Sequence, residues 1–569
     1  PRLEDSFFDL GGDSLLAARA LGQIRDRLRL EISLRTLFEN PRLGQLASVL
    51  EAKRQGKESP RTEIECGLPR PEAGERVPRD LPLSHGQRAL WFVHQLSGES
   101  PAYHVIFASR IHSPVQVDAL RRAFQRLVDR HPVLRSTFPL ADGAPVARIA
   151  SHFEIPFEIV EAADRSEAEL LRELREASET PFDLDSGPCA RVCFYRNETA
   201  QYLVATFHHI VMDGWSLWVC LSELSELYES EIEGRPAALE TARDFQDFLR
   251  WQAELQASPE GERQRRYWLD RLAGRIPPPL DLPADRTRPP VSTYRGASVR
   301  FALDAGITGR LKAIAGAEGA TVQMGLLALF QILLFRHTGQ ERFLLGTLSS
   351  GRTRAEFEGV VGYLANPLVV RTELSGRASF RTALQSARDT MIDAFDHQDY
   401  PFPLLVDSLA PERDPSRSPL FQVLFVFEKA QRLEREGAPA LMLGGSGERM
   451  QLGSLELEPL PIPAQHEGQF DLILLLTERE GRLEGYFDFS RDLFEASTIE
   501  RMAGRYRALV AGALESPDTP IAKLPLLTES ERQALISWNE TSVDDPAACL
   551  HQLFEAHAAR DPEALAAAF

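Results

Sequence analysis

Two proline-rich passages set the terms on which this chain can fold. The stretches "RQGKESPRTEIECGLPRPEAGERVPRD" (54–80) and "IPPPLDLPADRTRPPVSTYRG" (276–296) carry prolines that remove backbone donors and fix φ, so neither a helix nor a ladder runs through them. The first reads as a linker with little core of its own. The second divides a long region near its middle. A chain of 569 residues is in any case too long for one core. The expected organisation is a small domain at 1–53, a linker at 54–80, two lobes at 81–275 and 276–525, and the start of a further domain at 526–569.

Residue patterns give each piece a class. "DSLLAARALGQIRDRL" and "SLRTLFENPRLGQLASVLEAKR" repeat apolar residues at helical spacing, so the first piece is expected to be all-α. From Leu81 onward, helices such as "VDALRRAFQRLVDRH" alternate with strands such as "QYLVATFHH", which is an α/β pattern. The most apolar stretch, Gly325 to Phe335, is too short to span a bilayer and reads as a core helix. The tail "WNETSVDDPAACLHQLFEAHAARDPEALAAAF" reads as the severed beginning of another domain.

Charge and cysteine usage narrow the function. A net charge of -19, from 64 Lys+Arg against 83 Asp+Glu with no basic stripe, argues against nucleic acid or an anionic membrane as partner. Cys66, Cys189, Cys193, Cys220 and Cys549 lack C-x-x-C spacing, so neither a disulfide framework nor a metal site is expected, and a reducing cytoplasm fits.

Two motifs carry chemistry. In "FHHIVMDGWS" (207–216) the paired His208 and His209 close an apolar, β-branched run, and Asp213-Gly214 makes a turn. A histidine at a strand end is held rigidly and titrates near neutral pH. Strand alternation turns His208 and His209 to opposite faces, so one is expected to be structural and the other to face a cleft. In "FFDLGGDSLLAARAL" (7–21) Ser14 stands at a helix start. Capping explains Asp13 and Ser14; the glycines before and Leu15-Leu16 after suit a serine modified by another protein.

The second motif resembles the "LGGxS" signature of the peptidyl carrier proteins of nonribosomal peptide synthetases, matched by Leu10-Gly11-Gly12-Asp13-Ser14. The resemblance implies a small four-helix-type carrier domain, here without its first helix. It also implies 4'-phosphopantetheine covalently bound to Ser14, attached by a phosphopantetheinyl transferase.

Residues from Leu81 to about 525 resemble the condensation domains of the same synthetases, two-lobed relatives of chloramphenicol acetyltransferase with a tunnel between the lobes. The HHxxxDG signature is matched by His208 to Gly214, and "LSHGQRALWF", "RHPVLRSTF", "RDFQDFLRWQ", "VGYLANPLVVR", "HQDYPFPLL" and "RDPSRSPLFQ" follow the family's order. The reaction implied is attack by the amine of a downstream aminoacyl thioester on an upstream thioester carbonyl. In that reading His209 accepts or orients the amine proton, His208 is structural, and Gly214 leaves backbone space near the reacting carbonyl. Asp213 clamps the loop by an ion pair, with Arg352 as expected partner and Arg135 as reserve.

The resemblance implies upstream synthetase domains and downstream adenylation and carrier domains as partners, and makes 526–569 a linker and the start of an adenylation domain. Two departures stand out: Pro367 follows Asn366 where threonine is usual, and Gly86 replaces alanine. Pro367 raises a variant that dehydrates a β-hydroxy aminoacyl donor. A noncatalytic docking module is the alternative of another class, though one expected to have lost His209 or Gly214.

Overall fold

The computed structural model describes residues 2–8, 10, 14–28, 30, 32–54, 79–97, 100–162, 165–197, 200–409, 414–428, 449–462, 468–541 and 548–565. Most of the expected linker and Gly11 to Asp13 lie outside the described residues. The chain forms two compact units, Pro1–Pro525 and Leu526–Phe569.

The first piece holds helices Ser14–Leu28, Leu34–Glu39 and Leu43–Arg54. Ser33 caps the second by accepting the Thr36 N–H. Ala17, Leu34, Leu37 and Phe38 are buried and make its small core. This piece sits on the helix Phe380–Asp396: the Leu34 N–H donates to Asp396 (2.5 Å), and Arg35 pairs with Asp393 at 2.8 Å.

The larger body is two-lobed and α/β, built on two six-stranded sheets. The first sheet runs in the order Met450–Leu452, Leu455–Pro459, His104–Ile111, Gln201–His208, Ala190–Arg196, Phe157–Glu161. The strand that ends in His208 is therefore interior, and its burial on both faces explains its unbroken apolar run. The second sheet runs Asn366–Glu373, Arg342–Ser349, Val423–Glu428, Leu472–Arg479, Arg482–Ser490, Gly296–Leu303. The apolar stretch at 325–335 lies in the helix Val322–Thr338, which is buried from Gln323 to Leu334. No single helix among the described residues is long and apolar enough to cross a membrane.

The break at 276 does not separate the lobes cleanly. Two strands from the second half, Met450–Leu452 and Leu455–Pro459, cross over and complete the first sheet, pairing Leu457 with Ile111 and Pro459 with Ser109. They cover what would otherwise be an exposed edge. The second unit, taken by itself, holds the helices Glu529–Trp538 and Leu550–Arg560. The first of these is capped by a Thr528–Glu531 box.

Candidate active site

The strand Gln201–His208 stops where Asp213 caps the helix Gly214–Glu233, so His209 to Met212 form a tight turn between two rigid elements. Backbone and side-chain bonds fix that turn. The His209 N–H donates to the Tyr103 carbonyl (2.7 Å), and the Met212 N–H to the His209 carbonyl (3.2 Å). Gln87, in the first turn of the helix His85–Ser97, donates from its amide to the Ile210 carbonyl at 3.1 Å.

His208 faces the interior, 2% exposed, among the rings of His94, His104 and Phe182. Its Nδ1 accepts the Ile210 N–H at 3.1 Å. Burial, reinforced by the three neighbouring histidines, holds its pKa well below 6.5. The ring is buried and neutral at neutral pH.

Asp213 and Arg352 meet in a bidentate pair, Nη1 to Oδ2 at 2.9 Å and Nη2 to Oδ1 at 3.1 Å, with side chains 2% and 0% exposed. Each partner is satisfied beyond the pair. Asp213 also accepts the N–H groups of Ser216, Leu364 and Ala365. Arg352 donates further to the Ser350 and Val360 carbonyls and to the Ser216 hydroxyl. Burial opposes the Asp213 charge, but Arg352 and the Ser216 bonds outweigh it and hold the carboxyl below its ordinary value. Gly351 makes this reach possible: its φ of +67° is left-handed, and a Cβ there would fall 1.9 Å from the Leu364 carbonyl oxygen. The pair ties the histidine turn of the first lobe to the segment 360–365 of the second.

The reserve partner, Arg135, lies elsewhere. It donates to the Val128, Asp129 and Ala150 carbonyls and so closes the end of the helix Val117–Arg130.

His209 is 7% exposed, with the Tyr363 ring edge-on at a centroid distance of 5.1 Å. Burial lowers its pKa, and the nearby Asp213 charge only partly offsets this. The imidazole is thus neutral at neutral pH and able to take a proton. In the unfolded chain both histidines protonate near 6.5. Their neutral burial therefore stabilises the fold fully above that pH, and the contribution is lost as pH falls from there through the depressed folded values. Melting followed on either side of pH 6.5 is expected to show stability declining on the acid side; a flat response across it would contradict the burial of both rings.

Several residues within the quoted motifs, given no role on sequence grounds, support the turn. Ser84 and Gln87 form a reciprocal cap, each binding the other's N–H, and the S-x-x-Q spacing in "LSHGQ" is a legible signal for it. Ser216 links Arg352 to both the N–H and the carbonyl of Gly362. Asn366 donates to the Gln398 and Tyr400 carbonyls and accepts the Phe402 N–H, so it pins the turn beside the helix Phe402–Leu409. Pro367 follows it on the edge strand Asn366–Glu373, where a missing donor is tolerated.

Ser14 opens the helix Ser14–Leu28, whose first turn holds no acidic residue. A helix N-terminus favours an anionic phosphate, so the backbone setting of Ser14 at the start of this helix suits a phosphodiester there.

Residues 77–536 match the family model described as "Condensation domain", and residues 1–50 the one described as "Phosphopantetheine attachment site". Tyrocidine synthase 3 of Brevibacillus parabrevis is 32% identical over the full length of this chain, and chondramide synthase cmdD of Chondromyces crocatus 36% identical over 86% of it. The chain spans only 8% and 12% of those two proteins. Among solved structures, the X-domain from teicoplanin biosynthesis is similar at TM-score 0.70 and 27% identity, over 81% of this chain and 99% of that one. The four-domain nonribosomal peptide synthetase holo-AB3403, bound to AMP and glycine, shares the fold at TM-score 0.72 and 22% identity, over 82% of this chain and 35% of that one. The family match runs through both lobes and the clamp that joins them, so the chain belongs to the condensation-domain family of nonribosomal peptide synthetases, with a phosphopantetheine attachment region ahead of that domain.

Proposed function

We propose that this unit forms an amide bond between a donor acyl group carried at Ser14 and the amine of an aminoacyl group on a downstream carrier. The observation that supports this best is the neutral, buried His209, on a turn fixed from both lobes by Asp213 and Arg352. When attached to Ser14, phosphopantetheine supplies the donor as a thioester. His209 takes a proton from the acceptor amine nitrogen as that nitrogen bonds to the donor carbonyl carbon, and the proton passes to the departing sulfur. Gly214 is the first residue of its helix, so its N–H has no intrahelical acceptor and suits the developing oxyanion. Asp213, Arg352 and His208 act by holding the turn.

The partners that follow are a phosphopantetheinyl transferase, upstream synthetase domains, and adenylation and carrier domains beyond the condensation domain. The loading step has its own test. Ser14→Ala is expected to abolish the mass gain from a phosphopantetheinyl transferase and coenzyme A while leaving the melting temperature unchanged. An unchanged mass gain in the variant would remove Ser14 as the attachment point.

Pro367, on the edge strand Asn366–Glu373, is the sequence feature that raises a dehydrating variant, in which His209 would take an α proton from a β-hydroxy aminoacyl donor. A docking module is the second reading, motivated by the solved complex of the X-domain and OxyB from teicoplanin biosynthesis, at 27% identity. In this chain the His209 turn keeps its full set of supports, which favours catalysis.

A further inference from the structure

A cavity is lined by Gly86, in the first turn of the helix His85–Ser97, and by Trp251, Tyr363, Asn366 and Gln398, among others; His209 is not among its lining residues. The Tyr363 ring meets the His209 ring edge-on at 5.1 Å. The same ring lies against Gly86, where a Cβ would come within 2.8 and 2.9 Å of two of its carbons. Such an approach forces a shift, and the ring has little freedom to make it. The two residues after Tyr363 donate their N–H groups to Asp213, and Gly362 before it is bonded through both backbone groups to Ser216. Gln87, beside Gly86, holds the Ile210 carbonyl of the histidine turn. One helix turn therefore reaches both Tyr363 and the His209 turn.

We propose that Tyr363 is a positioning residue for His209, its ring fixing the imidazole and closing it off from the cavity, and that glycine at position 86 is what admits the ring. This deepens the proposed function, since it takes His209 to be the group that handles the proton. The groups facing His209 are His208 from the strand, Asp213 from the helix cap, Arg352 from the second lobe, Tyr103 from the turn before the strand His104–Ile111, and Tyr363. Asp213 and Arg352 are paired, His208 is neutral, and burial keeps both phenols protonated. The shielding by Tyr363 is thus the feature whose removal exposes the imidazole to cavity water and moves its titration up toward the ordinary value.

The test uses the full chain labelled with carbon-13 at histidine Cε1, with the His209 resonance assigned from its absence in His209→Gln. Tyr363→Phe should titrate at His209 as the parent does. Tyr363→Ala, with Tyr363→Leu as a second variant should the first fail to fold, should move the His209 midpoint up toward 6.5. Turnover should fall by about tenfold to a hundredfold in kcat with KM little changed, the scale of a misplaced reacting group. Gly86→Ala should lower kcat in the parent but add no loss on top of Tyr363→Ala. A His209 midpoint unmoved in Tyr363→Ala and Tyr363→Leu would overturn the proposal, as would the same loss from Gly86→Ala with and without the ring. The titration is read without substrate, so it stands or falls separately from the reaction assigned to His209.

Discussion

Arg352→Ala is expected to lose about 3–5 kcal/mol of stability, because it leaves Asp213 charged and unpaired in the interior. No water reaches the pair to compensate, since both side chains are almost fully buried. The loss extends past the ion pair. The Val360 and Ser350 carbonyls and the Ser216 hydroxyl lose a donor together, and each buried acceptor left without a partner adds to the cost. Denaturant unfolding at neutral pH measures the loss. The partner assignment is checked by additivity: Arg352→Ala and Asp213→Ala combined should cost clearly less than their sum, whereas Arg135→Ala and Asp213→Ala should add. Additive losses at Arg352 and Asp213 would mean the pair does not act as one.

His209→Ala is expected to slow product formation by about 10²–10⁴-fold, the usual worth of a positioned general base. Loading of Ser14 and the melting temperature should stay near the parent's, because the turn is held through backbone groups of His209, Ile210 and Met212 and the clamp at Asp213. A slow residual rate, above that of the untethered reactants, should survive in the variant over much longer times. Bringing two tethered reactants together has an effective molarity of about 10⁵–10⁸ M, and that contribution does not depend on the imidazole.

The parts of this site that are legible in the sequence are the local ones. His208, His209 and Asp213 stand within six residues, and the strand-to-helix switch around them shows in a change of apolar period. Ser14 likewise announces itself as the first residue of a helix after two glycines. Arg352 is 139 residues from Asp213; the resemblance ranks it ahead of Arg135, but the fold brings it to the carboxylate and leaves Arg135 on backbone carbonyls. Tyr363 and Gly86 are hidden for the same reason, since a missing Cβ has meaning only once the ring that needs its space is known. The crossing strands at 450–459 fall in the wrong lobe on sequence grounds because pairing to a distant sheet edge leaves no periodic trace. Pro367 breaks a motif and sits on an edge strand, where a missing donor is tolerated.

The measurement that bears most directly on the central claim follows one acyl group by intact-protein mass spectrometry. The parent and His209→Ala are loaded at Ser14 with the same donor and given the same aminoacyl acceptor carrier in trans. In the parent, the donor mass should leave this chain and appear on the acceptor, joined to its aminoacyl group. In His209→Ala the donor should remain on Ser14 over the same time. Transfer at equal rates in the two proteins, with both fully loaded, would contradict His209 as the residue that handles the proton of amide formation.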